Sequence, residues 1–214
     1  MATVLLARHG ETTWNRDGRV QGWAPTPLTE RGHDQAAALG AHLASAHEIG
    51  RVVSSDLRRA EETARYVARE TGLDLETDRA WRERDFGCLQ GLTVPDLFGD
   101  HPAYALSQSC AAAATARPDS GESVVEARER VLAGWERLQE ELDREETVVV
   151  VAHGGSIRLV LGSVLGYDVV DSILRIDQDN CALNEVRASE PRVVRRNDTG
   201  HLPDSLVDDS ETVA

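Results

Sequence analysis

Two histidines of this chain each follow a short, strongly apolar run. His9 lies at the end of a run that begins at Thr3, and His153 directly follows the valine-rich run Thr147–Ala152. Apolar runs of four to eight residues are typical of strands that are buried on both faces of a sheet. In open α/β sheets, ligands bind beyond the carboxyl ends of such strands. The sequence therefore places both histidines where this class of fold carries out its chemistry.

Arginines and glycines stand close to these histidines and to a third apolar run, residues 51–54. Arg8 and Gly10 flank the first histidine, Gly154 follows the second, and Arg59 comes shortly after the third run. Arginine suits phosphate because its planar guanidinium binds two oxygens at once, and glycine lets the backbone come close to a ligand. If the three strands are parallel neighbours, these groups converge. The sequence then predicts a pocket for an oxyanion or a phosphate group.

Segments with helix signals alternate with the strand-like runs. Apolar residues recur with helical spacing at 30–47 and 123–144, as a helix that packs against a sheet requires. Capping residues and glycines indicate further helices at 57–71 and 156–166. This alternation predicts an α/β fold, a three-layer α/β/α sandwich with a mostly parallel central sheet and helices on both faces.

Less regular regions complete the predicted fold. Residues 92–122 contain few β-branched residues and an alanine-rich stretch, so we expect a small helical excursion over the active site. We expect residues 73–77 to form a weak strand and residues 192–196 to form an edge strand. Residues 172–177 and 181–187 are expected to pair as a β-hairpin.

Length and composition fit one domain over residues 1–200. Residues 201–214 are acidic and lack aromatic side chains, so we expect a flexible tail there. The net charge is −14, and all 23 basic residues are arginine. The negative charge argues against nucleic-acid and anionic-membrane partners. The lysine-free, acidic composition suits either a halophilic source or a GC-rich genome.

No stretch approaches the roughly twenty apolar residues of a membrane span, and the N-terminus does not read as a signal peptide. The three cysteines are far apart, which favours neither a disulfide framework nor a CxxC metal site. The chain has seven histidines but no HExxH, HxH or aspartate-rich ligand pattern. We therefore expect a cytoplasmic protein that needs no metal and no cofactor. Its oligomeric state stays open, with a homodimer as one alternative.

Ordered motifs between residues 3 and about 200 make the sequence resemble the histidine phosphatase superfamily, which includes cofactor-dependent phosphoglycerate mutase. The motifs are Arg8-His9-Gly10-Glu11-Thr12 with Trp14-Asn15, Gln21-Gly22-Trp23 with Pro27-Leu28-Thr29, Ser54-Ser55-Asp56-Leu57 with Arg59-Ala60 and Thr63-Ala64, Glu83 with Phe86-Gly87, Gly121-Glu122-Ser123, and His153-Gly154-Gly155. An Arg-His-Gly triplet alone would be a weak signal. Motifs in this order across the chain are a strong one.

The resemblance implies a phosphate pocket built around a nucleophilic histidine. In it, His9 takes the phosphoryl group and becomes a phosphohistidine. Arg8, Arg59 and His153 bind the phosphoryl oxygens. The attacking ring nitrogen must carry a lone pair, so the other nitrogen should donate to a backbone carbonyl near Gly10.

Further residues receive roles from the same resemblance. Glu83 matches the proton donor for the leaving oxygen, with Asp85 as the less favoured alternative. Asn15 and Gln21 would contact the substrate, although either could serve only to stabilise its loop. The remaining substrate-binding positions are the glycines Gly10, Gly22 and Gly154.

The resemblance leaves the reaction open between two family activities. Water attacks the phosphohistidine in a phosphatase, whereas a second substrate hydroxyl attacks it in a mutase. Residues 92–116 contain no arginine or lysine to grip a carboxylate, which favours a phosphatase of a small phosphorylated metabolite. Glu83-Arg84 and Leu89-Gln90-Gly91-Leu92 look more like a mutase. A non-catalytic domain that binds a phosphorylated ligand is a third alternative, disfavoured by the presence of both His9 and Glu83.

Overall fold

The structure is a computed structural model that describes residues 1–207, the side chains of residues 109 and 110 excepted. The described chain forms a six-stranded sheet in the order β3-β2-β4-β1-β5-β6. Its strands are β1 (Thr3–Arg8), β2 (Arg51–Ser54), β3 (Leu75–Thr77), β4 (Thr147–Ala152), β5 (Leu183–Arg187) and β6 (Arg192–Asp198). The strands from β3 to β1 run parallel, whereas β5 and β6 add antiparallel pairs at one edge. The strands expected at 73–77 and 192–196 are confirmed as β3 and β6.

Helices cover both faces of this sheet. Within residues 1–207 the α-helices are α1 (Thr13–Arg16), α2 (Glu30–Ala46), α3 (Arg58–Thr71), α4 (Val94–Asp100), α5 (Leu106–Thr115), α6 (Val124–Glu141), α7 (Gly154–Leu165) and α8 (Val169–Leu174). Leu5 of β1 packs in a core with α2 and α3, while Leu6 packs in the opposite core with α6 and α7. The predicted three-layer α/β/α sandwich is confirmed. No helix of the described chain combines the length and the apolar character needed to cross a membrane.

The two apolar runs of the sequence become neighbouring central strands. β1 and β4 pair in parallel along their whole length, and Arg8 at the end of β1 lies opposite Ala152 at the end of β4. His9 and His153 therefore leave the sheet side by side at its carboxyl edge. β2 pairs with the other side of β4, so three strand ends meet at this edge, as expected.

Local signals account for where the helices begin and end. Thr29 caps α2 by accepting from the Gly32 N–H, and Ser123 and Glu126 form a capping box at the start of α6. Gly72 ends α3 in the left-handed conformation, with a φ of 71°, which glycine adopts without strain. These caps fix where α2 and α6 begin and where α3 ends.

Residues 92–122, called the cap below, form the predicted helical excursion. They contain α4, a 3₁₀ turn at Pro102–Tyr104 and α5. A small apolar cluster joins Leu97 of α4 to Val20 and Leu89 outside the cap. The cap is thereby held close to the loop that follows β1.

The predicted hairpin of residues 172–177 with 181–187 is wrong, because the first of these segments starts inside α8. The Asp168 carboxylate caps that helix by accepting from the Asp171 N–H at 2.8 Å. The Ser172 hydroxyl donates to the Asp168 carbonyl at 2.6 Å. These short-range hydrogen bonds satisfy the backbone locally and outweigh the strand propensity of the segment. The hairpin that exists joins β5 to β6.

The prediction of a flexible tail beginning at residue 201 needs correction for residues 201–207. Leu202 is buried in the core between the sheet, α2 and α3, and Leu206 and Val207 pack against the same core. Two leucines are enough to anchor this segment despite its acidic composition. The rest of the predicted tail, residues 208–214, lies outside the described residues.

Candidate active site

His9 lies directly after β1, and both of its ring nitrogens have a partner. Its Nδ1 is 2.8 Å from the carbonyl oxygen of Gly10, and its Nε2 is 3.1 Å from Nε of Arg59. A carbonyl only accepts and a guanidinium only donates, so Nδ1 carries the proton and Nε2 presents a lone pair. The prediction that a carbonyl near Gly10 fixes this ring is confirmed.

The two predicted arginines come from different elements. Arg8 is the last residue of β1, and a guanidinium nitrogen of it donates to the carbonyl oxygen of Gln178. Arg59, on the first turn of α3, is only 1% exposed. Besides the histidine ring it contacts the carbonyl oxygens of Gly22 at 2.8 Å and Ala24 at 3.2 Å. Burial lowers the pKa of Arg59 to about 10, so its charge persists at neutral pH.

His153 is completely buried, and its ring centroid lies 5.2 Å from that of His9. Its Nε2 is 2.9 Å from the hydroxyl of Ser55, which follows β2. With no exposed surface, His153 lies behind His9 and not on an open wall. Ser55 belongs to the Ser54-Ser55-Asp56-Leu57 motif, but its hydrogen bond with His153 was not predicted.

Both histidines are neutral at pH 7. Burial is the largest cause that lowers the pKa of His9 well below its usual range, and the charges of Arg59 and Arg8 lower it further. For His153, burial is again the main cause of a strongly lowered pKa, followed by Arg59. The lone pair on Nε2 of His9 therefore stays available at neutral and mildly acidic pH.

Glu83 is held at the start of α7. Its Oε2 accepts from the Gly155 N–H at 2.9 Å, and its Oε1 accepts from the Arg84 N–H at 2.8 Å. A Cβ on Gly155 would lie 2.0 Å from Oε1, so only glycine leaves room for the carboxylate. The alternative donor, Asp85, instead accepts from the Gly87 N–H at 2.9 Å and stabilises its own loop.

The loop that carries Glu83 is fixed by a residue that sequence reasoning missed. The Arg130 guanidinium donates to the carbonyl oxygens of Ala80 at 2.9 Å, Arg82 at 3.0 Å and Glu83 at 3.1 Å. It also forms a two-point ion pair with Glu122, at 2.9 and 2.7 Å. No sequence pattern pointed to this role, because the three carbonyls lie far from Arg130 in the chain.

Asn15 and Gln21 both line the cavity described below and stabilise the loop after β1. The Asn15 Oδ1 accepts from the Thr12 N–H at 3.1 Å. The Gln21 Oε1 accepts from the Thr26 hydroxyl at 2.6 Å. The loop-stabilising role that the sequence left open is thus present for both, alongside their position at the cavity.

The three predicted glycines occupy different places. The N–H of Gly10 donates to the Thr63 hydroxyl at 3.0 Å, and a Cβ at Gly10 would lie 2.4 Å from the backbone of α2. The Gly10 N–H is therefore already hydrogen-bonded within the protein. Gly22 lines the cavity with a φ of 51°, which favours glycine. Gly154 also lines it, and a Cβ there would make an ordinary contact, 3.7 Å from Arg8.

A cavity of about 530 Å³ opens between the strand ends and the cap. The predicted residues that the structure brings together on its wall are Arg8, His9, Asn15, Gln21, Gly22, Arg59, Glu83 and Gly154. The cap and α8 supply an apolar part of the wall, which includes Val94, Leu97, Phe98, Tyr104, Leu106 and Ile173. The cavity can therefore hold an anionic group beside His9 and an organic group under the cap. Within residues 1–207, no cluster of three or more His, Cys, Asp or Glu side chains could hold a metal ion.

Four further arginines line the cavity and were not predicted as site residues, namely Arg16, Arg19, Arg84 and Arg158. The last two bind main-chain carbonyls close to the site. Arg158 donates through Nε to the Ile176 carbonyl at 2.6 Å, and Arg84 donates through Nε to the Glu122 carbonyl at 2.8 Å. Burial lowers the pKa of both guanidinium groups. Arg158 lies one helical turn after Gly154, so helical spacing from the His-Gly-Gly motif was the signal that could have identified it.

Comparison with known proteins gives concordant results. A family model for the histidine phosphatase superfamily (branch 1) matches residues 4–199. A protein of Salmonella arizonae named a probable phosphoglycerate mutase, GpmB, is 31% identical over 98% of this chain and 99% of its own. A solved mycobacterial glucosyl-3-phosphoglycerate phosphatase in complex with VO3 has a TM-score of 0.79 and 31% identity, covering 92% of this chain and 99% of that chain.

A second solved structure is a phosphoserine phosphatase from Entamoeba histolytica in complex with 3-phosphoglyceric acid. It has a TM-score of 0.81 and 25% identity, and the match covers 95% of this chain and 100% of that chain. These relatives are named as phosphatases and as a probable phosphoglycerate mutase, which supports an enzyme of phosphoryl transfer. The match of the family model from residue 4 to residue 199 confirms the resemblance found in the motifs. The chain belongs to the histidine phosphatase superfamily, branch 1.

Proposed function

We propose that this protein is a phosphomonoester phosphatase that acts through a phosphohistidine on His9. The observation that carries the proposal is the state of the His9 ring, which is neutral, donates from Nδ1 to Gly10 and directs the Nε2 lone pair at Arg59. A nucleophile in this state needs no base to activate it. The Arg59 guanidinium beside this nitrogen binds phosphoryl oxygens, which places the phosphoryl group next to Nε2 of His9.

In the first step, Nε2 of His9 attacks the phosphorus atom of the substrate. A P–N bond forms while the P–O bond to the leaving group breaks. The guanidinium N–H groups of Arg8 and Arg59 donate hydrogen bonds to the phosphoryl oxygens and stabilise the charge that develops on these oxygens. Glu83, in its protonated form, gives its proton to the leaving oxygen, and the leaving group departs as a neutral alcohol.

In the second step, water attacks the phosphohistidine. The Glu83 carboxylate takes a proton from the water as its oxygen bonds to phosphorus. The P–N bond breaks, and its electron pair returns to Nε2 of His9. Inorganic phosphate leaves, and Glu83 is again protonated for the next cycle. The cycle consumes one water and involves no metal or cofactor.

The proposed substrate is a small phosphorylated metabolite whose organic part is partly apolar. The cap supports this because Leu97, Phe98 and Tyr104 line the cavity, and residues 92–116 contain no basic residue. The related phosphatases described above are named for different phosphomonoesters, glucosyl-3-phosphoglycerate and phosphoserine. The family membership is therefore compatible with several organic groups at this position.

A phosphoglycerate mutase is the second candidate function. Arg84 and Arg158 line the cavity in addition to the phosphate-binding arginines, and a guanidinium is a suitable partner for a carboxylate. The GpmB relative also carries a mutase name. We rank this function second because residues 92–116 of the cap contain no arginine or lysine that could bind a carboxylate, and the one arginine of the cap, Arg117, pairs with Glu126.

Incubation with 3-phosphoglycerate and 2,3-bisphosphoglycerate, with both products followed, separates the two functions. A phosphatase releases inorganic phosphate in proportion to the substrate consumed. Sustained formation of 2-phosphoglycerate without free phosphate would reject the phosphatase in favour of the mutase. A purely ligand-binding domain would give neither turnover of p-nitrophenyl phosphate nor a phosphoenzyme that depends on His9.

A further inference from the structure

Residues 199–207, called the C-terminal segment below, make two main-chain hydrogen bonds with side chains of α2. The Leu206 carbonyl accepts from Nε2 of Gln35 at 2.8 Å. The Val207 carbonyl accepts from Nη2 of Arg31 at 2.7 Å. The segment is thus bound to α2 by directional contacts as well as by apolar packing.

The other ends of the same two side chains reach Glu11, two residues after His9. Oε1 of Gln35 accepts from the main-chain N–H of Glu11 at 2.8 Å, and Nη1 of Arg31 pairs with the Glu11 carboxylate at 3.2 Å. Gln35 has no exposed surface, and Glu11 is 7% exposed. Buried polar contacts of this kind are directional and costly to lose. Gln35 and Arg31 therefore connect the C-terminal segment to the loop of the nucleophile.

The hydrogen bond from Glu11 to Gln35 acts on the peptide unit that orients His9. The Gly10 carbonyl, which accepts from Nδ1 of His9, and the Glu11 N–H, which donates to Gln35, belong to one peptide unit. A peptide unit is planar, so this unit cannot turn without weakening both hydrogen bonds. Glycine offers little resistance of its own to such a turn, and the restraint must come from partners such as Gln35.

We propose that the C-terminal segment positions the nucleophile. By holding Gln35 and Arg31, residues 199–207 fix the peptide unit between Gly10 and Glu11, and this unit, together with Arg59, fixes the tautomer and direction of the His9 ring. Gln35 and Arg31 act as positioning residues, one layer behind the ring. The inference rests on the proposed role of His9 as nucleophile.

Three variants of the full-length chain test this proposal. Gln35→Leu removes both ends of the buried link, Arg31→Ala removes the half-exposed link, and Leu202→Ser loosens the C-terminal segment without touching the cavity. The matched control is Arg65→Ala, which removes an exposed helical arginine paired with a glutamate on α3. The readouts are kcat and KM with p-nitrophenyl phosphate, and the tautomer of His9 from its ¹⁵N NMR shifts.

The three variants should lower kcat while KM changes little, because the loss lies in the direction of attack and not in binding. We expect a loss of roughly tenfold for Gln35→Leu, since small misplacements of a reacting group cost rates of this order or more. The ¹⁵N shifts should move from the Nδ1–H tautomer toward a mixture. Arg65→Ala should match the wild type in both readouts. The double variant of Gln35→Leu with Leu202→Ser should lose no more than Gln35→Leu alone, because both remove one restraint.

The proposal is overturned if Gln35→Leu and Leu202→Ser fold, by circular dichroism, yet keep the wild-type kcat and tautomer. Additive losses of kcat in the double variant would also overturn it, since they would show that the two substitutions act on catalysis independently. If Gln35→Leu does not fold, Arg31→Ala and Leu202→Ser decide the question by the same readouts. If the wild type has no phosphatase turnover, the proposed function fails, while the ¹⁵N shifts still test the positioning of His9.

Discussion

The two ring nitrogens of His9 have partners of opposite kinds. Nδ1 faces a carbonyl and Nε2 faces a guanidinium, so a single tautomer is favoured. The position of His9 after β1 and its carbonyl partner were predictable from the sequence. The bond from Arg59 was not, because which atoms meet across a pocket depends on how α3 packs against the sheet.

At the scale of single residues, Arg59→Lys tests whether the site needs the planar array of N–H donors of a guanidinium. Lysine keeps the positive charge, but its single ammonium group cannot donate hydrogen bonds to the His9 ring and to both loop carbonyls in the same fixed geometry. We expect kcat/KM for p-nitrophenyl phosphate to fall by roughly 10²-fold, the cost of a lost preorganised donor. Arg58→Lys, the exposed neighbour that pairs with Glu62, is the control and should stay near wild type. Equal activity of the two variants would contradict this role of Arg59.

Glu83→Gln tests proton donation, also at the scale of one residue. The amide retains the size of the carboxylate but cannot give a proton to the leaving oxygen. The parameter compared is kcat/KM, which reports the first step and not the hydrolysis of the phosphohistidine. Phenolate is a poorer leaving group than nitrophenolate, so kcat/KM should fall more with phenyl phosphate than with p-nitrophenyl phosphate. We expect a loss of about 10²-fold or more for phenyl phosphate. The same loss for both substrates would show that Glu83 positions groups and does not donate a proton.

At the scale of elements, the first turn of α7 determines where Glu83 lies. Its second residue, Gly155, donates its N–H to the carboxylate and has no room for a side chain. Short apolar runs made the strand ends predictable, and the motif included Gly155. The close approach of Glu83 was not predictable, because it joins a loop and a helix that are far apart in the chain. The helix α8 was missed for a different reason, since its N-cap Asp168 was not recognised.

Gly155→Ala should therefore displace Glu83 while leaving α7 folded. The added Cβ would lie 2.0 Å from Oε1, so the carboxylate must move, and kcat should fall by about tenfold or more. Gly154→Ala is the matched comparison, because its Cβ meets Arg8 at an ordinary 3.7 Å, and its loss should be much smaller. Steady-state kinetics and circular dichroism check both variants. A larger loss for Gly154→Ala than for Gly155→Ala would contradict the packing argument.

On the scale of the whole molecule, the described chain contains several histidines that folding keeps neutral. Besides the two in the site, His201 at the start of the C-terminal segment stacks on His42, with ring centroids 5.1 Å apart. Burial, and then the charge of His42, lowers the pKa of His201 to about 4. The docking of this segment could not be predicted from its acidic composition, because Leu202 finds its partners only in the assembled core.

These lowered pKa values predict that acid destabilises the fold. Above a pH of about 6.5, these histidines are neutral in both the folded and the unfolded state. Below it, they bind protons in the unfolded chain but not in the folded chain. The free energy of unfolding should thus fall as pH decreases from about 6.5 toward 4. His201→Asn should reduce the loss between pH 7 and pH 5 by roughly 1 kcal/mol, allowing for partial solvent screening. Urea unfolding at the two pH values measures this, and an identical loss in both proteins would contradict it.

The most direct test of the central claim is detection of the phosphoryl group on His9. The full-length protein is mixed rapidly with p-nitrophenyl phosphate, quenched in denaturant at alkaline pH, and its peptides are examined by mass spectrometry. We predict one phosphoryl group on the peptide that contains His9, and none in His9→Ala, which should keep its circular dichroism spectrum and lose roughly 10³-fold or more in kcat. Steady release of phosphate without a phosphoryl group on His9, or with the group on another residue, would contradict the account.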